Sequence, residues 1–406
     1  MNLPTLIIGG GISGITAAVE LAEAGQDVVL IEKDSYLGGN VARFNNYFPK
    51  LCPPSCGLEI NFRRIRSNPR INYYTGASLK SISGTDGNYR VKIDLKPRLI
   101  NNNCTSCGKC AEVCPVERPA KLGRSEGEKA AYIDYGLAFP MKYSIDTKVC
   151  KREECGRCLE VCEYNAIQLD ASSSELEIQA GKVIVATGWV LYEGANIKEY
   201  HYNQEPDVVS NQEFERMLAA CTRENKKLTR PSDGKIPGRI AFVQCAGSRD
   251  VNHLPYCSAV CCSASLKHAI SLESSYPEIH SEIFYIDIRL SGRNEKLLKQ
   301  AEGKERIRLT RGKVGRIVPP EGEKELLLEV EDIARGSKRL EAFDMVVLAL
   351  GLTPAPVAAE MKTNEFGFYL PDQPSGLIPA ASCKRPMDVS SSVKDATASA
   401  LKAMQR

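Results

Sequence analysis

Sixteen cysteines punctuate this chain of 406 residues, and eight of them fall into two runs whose spacing suits iron. The first run is Cys104-x2-Cys107-x2-Cys110-x3-Cys114-Pro115, and the second is Cys150-x4-Cys155-x2-Cys158-x3-Cys162. Short turns carry successive thiolates around one corner of an iron-sulfur cube, while a fourth ligand arrives from a distant segment. Structural zinc is the competing use of such residues. Zinc modules, however, pair two separated Cys-x2-Cys knuckles, whereas each knuckle here runs on to a third and fourth cysteine. Two 4Fe-4S clusters are therefore expected.

The two runs resemble those of two-cluster ferredoxins, in which the fourth cysteine of each run ligates the other cluster. That resemblance implies one set of Cys104, Cys107 and Cys110 with Cys162, and another of Cys150, Cys155 and Cys158 with Cys114. The second run departs from the pattern in the four residues that follow Cys150 and in Glu163, which stands where proline would follow the last cysteine.

The elements that must position these clusters read as a dinucleotide-binding frame. Thr5-Leu6-Ile7-Ile8 is a buried-strand run, followed by Gly9-x-Gly11-x-x-Gly14, a helical apolar pattern closed by Gly25, and a second strand, Asp27 to Ile31, ending in Glu32. The glycines let backbone approach a pyrophosphate, the helix N-terminus supplies N–H donors, and Glu32 can accept ribose hydroxyls. Leu37-Gly38-Gly39-Asn40 resembles the glycine pair of FAD enzymes with two dinucleotide domains, and Val183 to Val185 with Ala186-Thr187-Gly188 resembles their returning strand. FAD is the expected cofactor. Gly376 to Cys383 and Pro386-x-Asp388 resemble the last FAD-binding segment, with Ser382-Cys383 where many relatives carry Gly-Asp. Cys383 and Asp388 are the candidate contacts there.

Gly238 to Gln244 begins like the first strand of a second such domain, but its turn, Cys245-Ala246-Gly247-Ser248-Arg249, holds a single glycine. Phe343 to Gly351 reads as that domain's last strand. The expectation is a Rossmann-like domain without NAD(P) binding, whose turn carries Cys245, Cys257, Cys261 and Cys262 as ligands of a third iron-sulfur cluster. Small buried thiols are the alternative use of these four. Cys52 and Cys56 read equally as a redox pair facing the flavin or as inert thiols in a rigid turn, and Cys221 reads as packing.

A hydrophobic content of 43%, a charged content of 25% and a net charge of +3 are ordinary for a globular chain and leave no field that argues for nucleic acid. The longest apolar runs fall far below the roughly 18 residues a membrane span needs, and no signal peptide is apparent. Cysteine-rich and without an export signal, the chain is expected to be soluble and cytoplasmic, with reduced thiols.

Together, the flavin motifs, the Cys-rich insert, the stretch Ala138 to Asp146 and the block from Gln244 to Cys262 resemble the HdrA family, the flavoprotein subunits of heterodisulfide reductase. The chain's shortness is most like the HdrA-type subunit of Qmo, the quinone-interacting membrane-bound oxidoreductase complex. The resemblance implies an FAD and iron-sulfur oxidoreductase subunit of sulfur metabolism, with Cys245, Cys257, Cys261 and Cys262 as cluster ligands. The partners it implies are a second HdrA-like flavoprotein subunit plus a membrane subunit that carries haem and iron-sulfur centres. Through these the chain would associate peripherally with a membrane and relay electrons between menaquinol and adenylylsulfate reductase. Flavin-based electron bifurcation and NAD(P)H-dependent oxidoreduction are the competing functions. The expected fold is α/β, with two interleaved Rossmann-like domains of the thioredoxin-reductase type and a ferredoxin-like insert. FAD-binding segments are expected at 1–97, 173–237 and 352–406, the insert at 98–172 and the second Rossmann-like domain at 238–351.

Overall fold

The computed structural model describes residues 3–118, 128–319, 322, 325–333, 335–374 and 376–405; part of the expected insert, 119–127, lies outside the described residues. The chain divides into two compact units, one of Met1–Arg43, Pro54–Trp189 and Thr353–Arg406, the other of Phe44–Pro53 and Val190–Leu352.

The first unit is built on a parallel sheet. β1 (Thr5–Ile8) leads through Gly11 into α1 (Ile12–Glu23) and then β2 (Val28–Glu32), β3 (Ile71–Thr75) and, much later, β4 (Lys182–Val185). Leu6 lies opposite both Val29 and Val183, and the C-terminal strand Leu377–Pro379 pairs with β4. Every residue of β1 and β2 is buried, because helices cover one face and a second layer covers the other. That second layer is an antiparallel sheet of Ala77–Thr85, Asn88–Leu95 and Ser174–Ala180.

The cysteine-rich insert interrupts this antiparallel layer. The chain leaves it at Leu95 and returns at Ser174, directly opposite in register. Adjacent ends allow an insertion without disturbing the sheet that carries it. Inside the insert Ile100 bridges Ile167, and a small core of Leu99, Ile100, Ala131, Ile145, Ala166, Ile167 and Leu169 has cysteines packed around it.

The second unit holds a seven-stranded sheet. In chain order its main elements are β5 (Val208–Ser210), α2 (Asn211–Glu224), β6 (Arg239–Ala246), α3 (Cys261–Ser275), β7 (His280–Tyr285), β8 (Ile307–Val318), β9 (Leu326–Asp332), β10 (Ser337–Phe343) and β11 (Met345–Leu350). The spatial order is β5-β11-β6-β7-β8-β9-β10, parallel as far as β8 and antiparallel beyond. A capping box, Ser210 with Glu213, starts α2. Among the described residues no helix is long and apolar enough to cross a membrane.

Candidate cofactor sites

The dinucleotide turn is locked by contacts between backbones. A Cβ on Gly14 would sit 1.8 Å from the Gly9 carbonyl oxygen, so only glycine lets α1 start this close to β1. Gly39, at φ +59°, lies against Gly11, where a Cβ would come within 2.8 Å of the Gly11 Cα. The Gly38 amide donates to the Gly10 carbonyl at 2.7 Å, joining the second glycine motif to the first. Gly11, the N-cap of α1, has no side chain to cap the helix. The first N–H groups of α1 therefore stay available to an anion, as a pyrophosphate site requires.

Glu32 is buried at the end of β2, its Oε2 accepting from the Gly10 amide at 2.6 Å and its Oε1 from the Asp34 amide at 2.8 Å. Burial raises its pKa, aided by Asp34 and opposed by the two amides. Each oxygen keeps a lone pair for a ribose hydroxyl. Gly10, which carries no motif signal of its own, is also constrained: a Cβ there would meet Leu37 Cδ2 at 2.5 Å and Glu32 Cβ at 2.9 Å. The unbroken run Gly9-Gly10-Gly11 is the feature of the sequence that could have pointed to it.

The returning strand ends where the sequence places it. The Ala186 amide donates to the Ile8 carbonyl at 2.8 Å, Thr187 Oγ1 donates to the Ala355 carbonyl at 3.1 Å, and Asn40 Nδ2 reaches the Trp189 carbonyl at 3.4 Å. Gly188, with φ +75°, accepts from the Ala355 amide at 3.1 Å. Cys383 is fully buried in the core, its Sγ donating to the Val185 and Ala380 carbonyls at 3.2 and 3.1 Å, and burial pushes its thiol up to about 12. Asp388 caps the helix Val389–Met404, accepting from the Ser391 amide at 2.7 Å.

The insert repeats one structural unit. Cys107-Gly108-Lys109-Cys110 and Cys155-Gly156-Arg157-Cys158 each turn through a glycine of positive φ into a short helix, Lys109–Glu112 and Arg157–Glu160. Burial pushes the Cys110 thiol up to about 12, with Cys104, Cys158 and Cys107 adding their repulsion. Burial likewise pushes Cys158 up to about 11, with Cys150, Cys114 and Cys155 adding theirs. Cys114 of the first run thus acts on Cys158 of the second, and both pack against the insert core. Crowded thiolates repel one another, and a bound cationic cluster removes that cost. Cys150 accepts from the Arg152 amide and Cys162 from the Ala166 amide, both at 3.3 Å. Such N–H···S bonds tune a cluster's potential.

Both departures of the second run have structural accounts. The longer spacer after Cys150 takes up a 3-10 turn, Arg152–Glu154, held where Arg152 donates to the Leu169 carbonyl at 2.9 Å and the Ala171 carbonyl at 3.3 Å. Glu163, in the proline position, pairs with Lys109 of the first run.

In the second unit, Cys245 lies at φ +58° within a β-bulge between Val243 and Ala246, at the carboxyl end of β6. Cys261 and Cys262 open α3. Burial pushes Cys245 up to about 11, opposed by Arg249 and reinforced by Cys262 and Cys257. Burial raises Cys261 well above its ordinary value, with Cys262, Cys245 and Cys257 adding to it. The charges of Cys245, Cys257 and Cys262 thus all act on Cys261. The Ala259 amide donates to Cys257 Sγ at 3.4 Å, and the buried amide of Gln244 beside Cys245 finds no partner among the described residues. Cys52 is half-buried and Cys56 exposed in the first turn of the helix Ser55–Ser67. Cys221 packs against the core of the second unit.

Residues 7–72 match an NAD(P)-binding Rossmann-like domain and residues 97–117 a 4Fe-4S binding domain. Among solved structures, thioredoxin reductase of T. acidophilum superposes with a TM-score of 0.56 at 14% identity, covering 99% of this chain and 97% of that one. Thioredoxin reductase of Lactococcus lactis gives 0.52 at 12% identity, covering 99% and 97%. The class is thus a Rossmann-type α/β protein of thioredoxin-reductase architecture that carries a 4Fe-4S module.

The chain is 36% identical over 388 residues to the HdrA-type subunit of the H(2):CoB-CoM heterodisulfide,ferredoxin reductase of Methanothermobacter marburgensis, covering 94% of this chain and 58% of that protein. It is also 36% identical over 417 residues to the second of two such iron-sulfur subunits of CoB-CoM heterodisulfide reductase in Methanopyrus kandleri, covering 98% and 63%. Over nearly its whole length the chain is a homologue of the HdrA-type subunits of heterodisulfide reductase, and it spans about three fifths of the curated relatives it matches.

Proposed function

We propose that the chain is an FAD and iron-sulfur electron-transfer subunit of a heterodisulfide-reductase-type oxidoreductase complex. The observation that carries this is the joining, in one compact unit, of a pyrophosphate cradle on α1 and an insert whose small core has cysteines of both runs packed against it. FAD would rest on Gly9, Gly11 and Gly14, with Glu32 at its ribose, Gly38, Gly39 and Asn40 beside it and Ala186 to Gly188 at the returning strand. One cluster would take Cys104, Cys107, Cys110 and Cys162, another Cys150, Cys155, Cys158 and Cys114, and a third Cys245, Cys257, Cys261 and Cys262. The neighbours of Cys158 support the crossed second set. Bound flavin accepts or gives electrons in pairs or singly, and clusters pass them one at a time. The polypeptide's part is to hold the cofactors close, to bury them and to set hydrogen bonds to their ligands.

At the level of substrate, the homologues favour electron exchange linked to heterodisulfide chemistry. The narrower quinone-linked assignment brings in menaquinol, adenylylsulfate reductase, a membrane subunit and a second flavoprotein. It rests on the resemblance of the Qmo type alone and has no counterpart among the relatives named above.

Anaerobic purification of the native assembly, with partner identification and counting of flavin, iron and acid-labile sulfide, tests the proposal. Flavin with about twelve iron atoms per chain in a multi-subunit complex is expected for three clusters. A colourless chain free of sulfide, or zinc in place of iron, overturns it. Rapid flavin bleaching by NADH or NADPH in stopped flow would favour the nicotinamide-dependent alternative.

A further inference from the structure

The iron-sulfur insert reaches the flavin cradle through a built contact. Residues 130–145, between its two cysteine runs, pack along residues 35–43, the segment that carries the Gly38-Gly39 pair. Leu37 bridges Phe139, its amide donating to the Phe139 carbonyl at 2.7 Å, while Tyr135 Oη donates to the Leu37 carbonyl. Tyr36 Oη donates to the carbonyls of Tyr132 at 3.0 Å and Lys142 at 2.8 Å. The three tyrosines form an edge-to-face cluster, with ring centroids 6.2 and 6.0 Å from Tyr36.

Two insert residues bear on the glycine pair itself. Tyr135 Oη lies 3.2 Å from where a Cβ on Gly38 would sit, so phenol and cradle backbone are in contact. Asp134 accepts from Arg43 at 2.7 Å, and the same guanidinium donates to the Gly39 carbonyl at 2.8 Å and to Asp34 at 2.9 Å. The Arg43 and Asp134 side chains are 7% and 11% exposed, so this ion pair is little screened by solvent. Gly39 in turn touches Gly11 at the head of α1. An unbroken chain of contacts thus runs from the insert to the pyrophosphate turn.

We infer that Tyr135 and Asp134 are positioning residues of the flavin site, and that the insert completes this site as well as carrying clusters. The inference rests on the FAD reading above. Its consequence is linkage: whatever orders the insert strengthens FAD binding, and bound FAD strengthens the hold on iron by the same coupling free energy.

The test measures FAD affinity on the full, cluster-loaded chain by recovery of released-flavin fluorescence, with iron content and melting temperature recorded for each variant. Tyr135→Phe keeps the ring and removes only the hydroxyl, and Asp134→Asn weakens the hold on Arg43. Each is expected to weaken FAD binding by about fivefold to thirtyfold, the loss typical of one buried hydrogen bond or charged contact, at unchanged iron content. Ser144→Ala removes the 3.0 Å hydroxyl bond to Ser35 at the same contact without touching the glycine pair. It should stay within about twofold of wild type. In wild type, a chelator should take less iron at equilibrium with FAD bound than after flavin removal. Affinities of Tyr135→Phe and Asp134→Asn within about twofold of wild type, an equal loss in Ser144→Ala, or an iron partition indifferent to FAD would each overturn the inference. A wild-type chain that binds no FAD at all would instead overturn the flavin reading beneath it.

Discussion

Glu215 offers the sharpest test of how the second unit is held together. On α2, its Oε2 accepts from both Lys267 Nζ and His268 Nε2 of α3, and its Oε1 accepts from the amides of Asn45 at 2.8 Å and Asn46 at 3.3 Å. Lys267 also donates to the Asn46 carbonyl at 2.8 Å. The Glu215 side chain is 4% exposed and that of Lys267 6%. Burial alone would raise the carboxyl, but the charges of Lys267 and His268 outweigh it and hold Glu215 down at about 2. In the unfolded chain the same group titrates at 4.5. The folded value is the lower one, so this contribution is fully present above about pH 4.5 and is lost as pH falls through about 2. Burial lowers Lys267 in its turn, which works against folding at neutral pH, so the net contribution of the cluster is smaller than the shift of Glu215 alone implies. Breaking a buried pair by removing one partner costs about 3–5 kcal/mol, because the other charge is left stranded.

Glu215→Gln should therefore lower the melting temperature of the second unit by about 6–20 °C at pH 7, read by near-ultraviolet circular dichroism. It should also flatten the acid limb of stability between about pH 5 and pH 1. Replacing the pair by apolar residues, Glu215→Leu with Lys267→Met, removes the stranded charge and should recover much of the loss. A melting temperature within about 2 °C of wild type in the single variant, or an equally damaged double variant, would refute the reasoning.

Three further outcomes are expected. Gly14→Ala places a methyl 1.8 Å from the Gly9 carbonyl and should abolish FAD retention while leaving iron in place; a variant that keeps its flavin after gel filtration contradicts the cradle. Cys114→Ser should damage the cluster of the second run, with about four iron atoms lost and one reduced-cluster resonance missing. Damage confined to the first run's cluster would show that the ligands do not cross. Replacing both Cys261 and Cys262 by serine should lower iron by about four atoms per chain, and unchanged iron would reject a cluster at the head of α3.

What the sequence made legible was local. β1, α1 and β2 follow from an apolar run, three glycines and a terminal acid within 32 residues, because sterics and period act over short range. The cysteine runs were legible for the same reason. Asp134 and Tyr135 were not, since their partners Arg43 and Leu37 lie 91 and 98 residues away and neither residue type marks a contact by itself. Glu215 sits in a helical pattern where a carboxylate ordinarily means solvent, and only the fold brings Lys267 and His268 to it. Cys383, read as a flavin contact from its place in a motif, turns its thiol to the Val185 and Ala380 carbonyls, and Asp388 spends a carboxylate oxygen on its own helix.

On the proposed reading, the second unit exchanges one kind of site for another. In an open α/β sheet the ligand crevice opens at the carboxyl ends of the central strands, where connections depart to opposite sides. Here that point lies at the ends of β6 and β11, just before α3. A nucleotide would need bare backbone there, yet the turn after β6 folds on itself. Ser248 and Ser258 share a 3.0 Å hydroxyl bond, Ser258 Oγ accepts from the Leu352 amide at 2.8 Å, and Arg249 donates its amide to the Tyr256 carbonyl at 3.0 Å. Gly351 is pressed against the serines, since a Cβ there would come within 2.4 Å of Ser248 Oγ. The bulge turns Cys245 out of the strand ladder, and α3 starts on Cys261 and Cys262 in place of a glycine turn. The strand end and helix start that elsewhere present N–H groups to a phosphate here carry Cys245, Cys261 and Cys262, with Cys257 in the loop between them, and that loop ties its polar groups to itself and to Leu352 and Asp287.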